Sequence, residues 1–137
     1  MAVVLDSAPV VAFLDRGDAL HSAADAAIRE LMTKHRFYAS AVTLAEVLVG
    51  AHLDHHDEAI VRGFFADLVT EILPVEAADA ERAARIRADH RSLRMPDALI
   101  LAAAEVHPDV DMVLTGDAAM AGIRGLGCRV TLLELPA

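Results

Sequence analysis

Four carboxylates in this sequence stand alone in apolar surroundings, and they are the residues best placed to do chemistry. Asp6 is the only Asp, Glu, Lys or Arg in residues 1–14, and Glu46 the only one in 37–53. Asp97 is the only one between Arg94 and Glu105, and Asp117 the only one between Asp111 and Arg124. An ionised carboxylate in such company is costly unless it is paired, hydrogen-bonded or bound to a metal, and no Lys or Arg lies within these segments to pair with it. Each acid also has an ordinary reading. Asp6 suits a helix cap beside Ser7, Asp97 a first-turn partner of a helix dipole, Asp117 a turn, and Glu46 a solvent-facing helix position. Together those readings require four independent accidents. If the four converge they repel one another and need a divalent cation. All-oxygen donors favour Mg²⁺ or Mn²⁺ over zinc, and an open acidic site of that kind suits in-line displacement at phosphorus by an activated water.

The elements that must position them alternate between short strands and helices. Residues 2–5 read as a buried strand ending at Asp6, and Ser7 with Pro9 starts a helix running to Leu14. A long amphipathic helix is expected over 19–35, a strand over 37–39, and a helix capped by Ser40 that runs to about Leu53. The polar patch 55–58 leads into a helix ending near Val69, and a strand over 71–75 is interrupted by Pro74. Helices follow over 77–93 and from Pro96 to about Val106, then a turn at 107–109 and a strand over 112–115. A short helix near Ala118, a Gly-rich turn over 122–127 and a strand over 129–133 complete the order. This alternation predicts an α/β fold, a three-layer α/β/α sandwich around a parallel sheet, in one domain spanning 1–137. Working sites of such sheets lie at the carboxyl ends of the strands, which is where Asp6 and Asp117 fall.

Composition narrows the function classes. Of the 137 residues 55% are hydrophobic, enough for one core but not for two domains. Aromatics are only 4% and Trp is absent, so base stacking is not the main mode of recognition. The net charge of −9 opposes broad electrostatic binding of nucleic acid, unless some acids hold cations and the arginines cluster. The single cysteine, Cys128, excludes an internal disulfide and a Cys-based metal cluster, and suits the reducing cytoplasm. No signal peptide is visible. The longest run without Asp, Glu, Lys or Arg is residues 37–45, far short of a membrane span.

At these same residues the chain resembles the PIN-domain family, and within it the VapC toxins of bacterial VapBC toxin–antitoxin pairs. The matching segments are Val3-Val4-Leu5-Asp6-Ser7, Ser40-x-x-Thr43-x-x-Glu46-Val-Leu-x-Gly50, Pro96-Asp97-Ala98-x-Ile100-x-Ala102 and Val113-Leu114-Thr115-x-Asp117. They occur in the family's order and span nearly the whole chain. The resemblance implies a PIN-like sandwich and a Mg²⁺- or Mn²⁺-dependent endoribonuclease in which Asp6, Glu46, Asp97 and Asp117 hold the metal and position the attacking water. Thr115 would support the last acid by hydrogen bonding, with Ser7 beside the first. A cognate VapB-type antitoxin, an RNA substrate (tRNA, rRNA or mRNA) and a homodimer are implied as partners. The chain departs from the family at Met120 and Ala121, where many relatives carry a further Asp and often a Phe. A four-acid site leaves a second metal in doubt.

The one dense basic run, Arg82, Arg85, Arg87, Arg91 and Arg94, leads towards Asp97. Residues 87, 91 and 94 are expected to share a helical face and to contact RNA phosphates or an antitoxin's acids. The plainer reading is a solvated face paired with Asp79, Glu81 and Asp89. His52 and His56 have zinc spacing but no third ligand nearby. Residues 122–127 lack the spacing of a dinucleotide loop. Ser7 sits in no Gly-x-Ser-x-Gly elbow, so serine hydrolysis is set aside. A dehalogenase-type phosphatase needs a second Asp at position 8 and a catalytic Lys, but Ala8 stands there and Lys34 is the only lysine. A receiver domain needs an adjacent acidic pair after the first strand and a late lysine, and this chain has neither. A PIN domain in RNA maturation, or one serving as a non-catalytic scaffold, remains the alternative to a toxin.

Overall fold

Ala2–Leu5 (β1) is apolar and buried at every position, as the central strand of a sheet covered on both sides must be. In the computed structural model, which describes residues 1–135, four more strands join it. They are Arg36–Ser40 (β2), Val69–Leu73 (β3), Val110–Thr115 (β4) and Arg129–Leu132 (β5). All pairings are parallel, in the order β3-β2-β1-β4-β5. The connecting helices are Ser7–Leu14 (α1), His21–Leu31 (α2), Ala41–His52 (α3), Glu58–Asp67 (α4), Ala77–Asp89 (α5), Met95–Val106 (α6) and Ala118–Ala121 (α7).

Alternation along β1 divides the core between the two faces. Val3 and Leu5 pack with Val10 of α1, Ile28 of α2, Val47 of α3 and Phe64 of α4. Ala2 and Val4 pack with Ala83 and Ile86 of α5, and with Ala98 and Leu101 of α6. The result is the expected three-layer α/β/α arrangement. The small residues 102–104 at the end of α6 are all buried, which lets that helix lie close to the sheet.

Among the boundaries that differ from the sequence expectation, three have a clear local reason. Helix α2 stops at Leu31 instead of reaching His35. Thr33 donates to the Glu30 carbonyl at 2.7 Å, and Lys34 closes an i−3 turn on Leu31, so the chain straightens into β2. Strand β3 begins at Val69, two residues earlier than expected. Its buried ends are Val69 and Leu73, and Pro74, which has no amide hydrogen for the ladder, falls just outside. Helix α5 ends at Asp89 because His90 is extended (φ −135°, ψ 78°) and Leu93 turns into the core. Arg87, Arg91 and Arg94 therefore do not share a helical face: they lie on α5, on the connecting turn, and at the cap of α6.

The Gly-rich segment is a turn, with Gly125 at φ +80°, a conformation that disfavours a side chain. Glu105 of α6 fixes its exit by accepting from the Gly127 amide at 2.6 Å and the Cys128 amide at 3.2 Å, while Arg82 of α5 donates to the same carboxylate at 2.8 Å. Burial, with Glu105 nearby, pushes the Cys128 thiol up to about 11, so the residue packs as a neutral side chain. His52 pairs with Glu58 at 3.3 Å. Among the described residues no helix is long and apolar enough to cross a membrane.

Candidate active site

The strand order reverses between β1 and β4, because the chain builds outward from β1 through β2 and β3 before returning to β4. At such a reversal an open parallel sheet has its crevice at the carboxyl ends of the two strands that part, here β1 and β4. Asp6 is the first residue after β1. Thr115 is the last of β4, and Asp117 follows two residues later. Asp97 stands in the first turn of α6, and Glu46 lies midway along α3.

Short polar contacts hold these segments together. The Thr43 hydroxyl of α3 donates to the Leu5 carbonyl at 3.0 Å, tying that helix to the strand end just before Asp6. Ser7 then reaches Glu46, donating from Oγ to Oε1 at 3.2 Å. The Thr115 hydroxyl donates to Asp6 Oδ2 at 2.7 Å and accepts from the Asp117 amide at 3.0 Å. Arg94, the cap residue of α6, donates from Nε and Nη2 to the two oxygens of Asp97 at 3.2 and 3.1 Å. Its Nη2 lies 4.0 Å from Glu46 Oε2.

Several of the ordinary readings of the acids hold at the same time as their convergence. Asp6 caps α1 and accepts from the Ser7 amide at 2.8 Å, which makes Ser7 the first helical residue and not the cap. Asp117 caps α7 through the Ala119 amide at 2.9 Å. Asp97 lies where the dipole of α6 favours negative charge. Capping fixes these side chains without moving them away from the crevice.

The charges of these acids act on one another. Burial raises the pKa of Asp6, and the charges of Asp97 and Asp117 add to that rise against the lowering effect of its bonds to Thr115 and Ser7. Burial likewise raises Glu46; the Ser7 hydroxyl opposes the rise, the Asp6 and Asp97 charges reinforce it, and Arg94 offsets part of it. Contact with Asp97 raises the pKa of Arg94, with smaller contributions from Glu46 and Asp117. The sequence-selected acids thus share one local field.

The donors are all carboxylate oxygens, flanked by two hydroxyls, and this set suits a hard divalent cation. Among the described residues, the only positive charge paired with these acids is Arg94. As they stand, among the described residues, no group of three or more His, Cys, Asp or Glu side chains is placed to hold one ion. The fit therefore lies in donor type and unbalanced charge.

Arg87 and Arg91 form no ion pair among the described residues, and only Arg94 of that run meets the acids. Thr115, expected to support the last acid, touches the Asp117 amide but gives its proton to Asp6. The role of Thr43 was missed, although its spacing to Glu46, three residues or just under one helical turn, was a usable signal. Met120 stands where the resemblance led one to expect a further Asp. It is fully buried beneath Thr115, with its sulfur 3.5 Å from the hydroxyl, so it adds no oxygen donor.

The comparisons agree with this architecture. No match is found among curated protein sequences. VapBC2 from Rickettsia felis, solved bound to a DNA fragment from their promoter, is similar at a TM-score of 0.76 and 14% identity, over 98% of this chain and 100% of that one. A toxin–antitoxin complex from Klebsiella pneumoniae is similar at 0.71 and 26% identity, covering 96% and 98% of the two chains. VapBC-5 from Mycobacterium tuberculosis, a member of the VapBC family of toxin–antitoxin systems, is similar at 0.62 and 26%, covering 97% and 98%. The PIN domain family matches residues 3–126, and the chain belongs to that family.

Proposed function

We propose that this chain is a divalent-metal-dependent endoribonuclease acting as the toxin of a toxin–antitoxin pair. What supports the reading is that Asp6 and Asp117 follow the strands at the switch point of the sheet, with the charges of Asp6, Glu46 and Asp97 acting on one another, in a chain of the PIN domain family. These residues would hold Mg²⁺ or Mn²⁺. When bound, the ion supplies charge neutralisation at the scissile phosphate and activation of the attacking water.

The chain's own residues prepare the site. Thr115 fixes one oxygen of Asp6 and leaves the carboxylate facing its partners. Ser7 fixes Glu46. Asp6 and Asp97 stand at the amide ends of α1 and α6, where the helix dipoles favour anionic oxygens, first of the carboxylates and then of the substrate. Arg94 is exposed beside Asp97 and would meet a phosphate there, and Arg87 and Arg91 would offer positive charge to RNA or to an antitoxin's acidic residues from their own segments.

The similarity to toxin–antitoxin complexes supports a VapB-type antitoxin as partner, a homodimer as the assembled form, and the cytoplasm as the place where RNA and antitoxin are met. A PIN nuclease of RNA maturation would use the same chemistry, and a small antitoxin gene immediately upstream separates the two readings. Incubating the purified chain with total RNA and Mg²⁺ or Mn²⁺ tests the activity itself. Discrete fragments are expected, and EDTA removes them. Equal cutting in EDTA contradicts the reading.

A further inference from the structure

Asp97 is 4% exposed and accepts both of its side-chain hydrogen bonds from one partner, Arg94, whose side chain is 67% exposed. The guanidinium thus lies on the solvent side of a buried acid and covers it. Among the described residues no other polar contact holds it there: as the cap of α6 Arg94 makes no side-chain cap bond, and its ion pairs are to Asp97 and, at 4.0 Å, Glu46. A cation is therefore already seated among the acids, on a side chain tethered by those acids alone.

We propose that Arg94 is a resident counter-cation of the acid cluster, covering Asp97 while no divalent ion is bound and turning outward to RNA phosphate when one enters. The inference rests on the nuclease reading above. A guanidinium and a divalent ion compete for the same carboxylate oxygens, since each repels the other at short range. The planar fork that grips a carboxylate with two parallel bonds fits a phosphate equally well, so release from Asp97 leaves Arg94 suited to the substrate. Metal entry and phosphate binding become linked through one side chain. Part of the acids' charge is thereby offset when the site is empty of metal.

The test is Mn²⁺ binding by calorimetry, without RNA, on wild type, Arg94→Gln and the distant exposed control Arg16→Gln. Loss of a partly exposed bidentate pair is expected to tighten Mn²⁺ binding to Arg94→Gln roughly fivefold, with Arg16→Gln unchanged. At saturating Mn²⁺, binding of a non-cleavable 2′-deoxy oligonucleotide to Arg94→Gln weakens and its salt dependence becomes shallower. If wild type binds Mn²⁺ and Arg94→Gln binds it no tighter, or more weakly, Arg94 is a structural clamp and this proposal fails while the nuclease reading stands. If neither protein binds Mn²⁺, the metal site itself is refuted, and the proposal with it.

Discussion

Replacing Asp6 by Asn is expected to lower RNA cleavage roughly a hundredfold or more, the effect of losing a few kcal/mol of metal-borne charge stabilisation. The same change is expected to make the metal-free protein more heat-stable at neutral pH. The second half follows from the sign of the pKa shift. Burial raises Asp6 above an ordinary Asp, so the folded state keeps its proton to higher pH than the unfolded chain does. As pH rises through that interval the unfolded state loses its proton first, and the folded state loses stability by comparison. Above the raised value the carboxylate is charged, buried and beside Asp97 and Asp117. Glu46 behaves in the same direction. Thermal melts in EDTA should therefore show stability increasing from neutral to mildly acidic pH in wild type, and a flatter profile in Asp6→Asn with a melting temperature about 3 °C higher at neutral pH. Near-normal cleavage by Asp6→Asn, or a lower melting temperature with an unchanged pH profile, contradicts this.

The Thr115→Val variant keeps its shape and loses its bonds to the Asp6 carboxylate and the Asp117 amide. The buried carboxylate oxygen of Asp6 then has no hydroxyl at 2.7 Å, and the Asp117 amide loses its acceptor at 3.0 Å. Leaving a buried charged acceptor and a backbone donor unpaired costs about 2–3 kcal/mol, which urea denaturation would measure. Because the same hydroxyl orients one acid and the turn bearing another, cleavage by the folded variant is expected to fall about 10- to 100-fold. Thr115→Ser keeps the donor and acceptor, and should recover most of both losses. A Ser variant as impaired as Val would show that the methyl group, packed beneath the acids, is what matters.

Much of the fold was legible because its buried strands are short and continuous and its helices carry clear capping residues. Val3-Val4-Leu5 and Val113-Leu114 are apolar on both faces, which identifies central parallel strands, and Ser40 caps α3 as its position suggests. Errors fell where side-chain type does not determine the chain's path. Nothing in Ala88-Asp89-His90-Arg91 announces that the helix ends there; Leu93 does so by docking into the core, a tertiary effect. That one turn separates Arg87 and Arg91 from Arg94.

The acids were legible from the scarcity of charge around them, a direct consequence of desolvation cost. Their supports were less so. A threonine reads alike whether it bonds the carbonyl of Leu5, as Thr43 does, or the carboxylate of Asp6, as Thr115 does. Nor does sequence reveal that Arg94, three residues before Asp97, folds back onto it rather than facing solvent.

The most direct measurement is the anomalous signal of Mn²⁺ in crystals of the RNA-free protein. The predicted result is a peak in contact with carboxylate oxygens of Asp6, Glu46, Asp97 and Asp117, at the carboxyl ends of β1 and β4. A peak at another cluster, or fully ordered acids with no ion between them at saturating Mn²⁺, would contradict it.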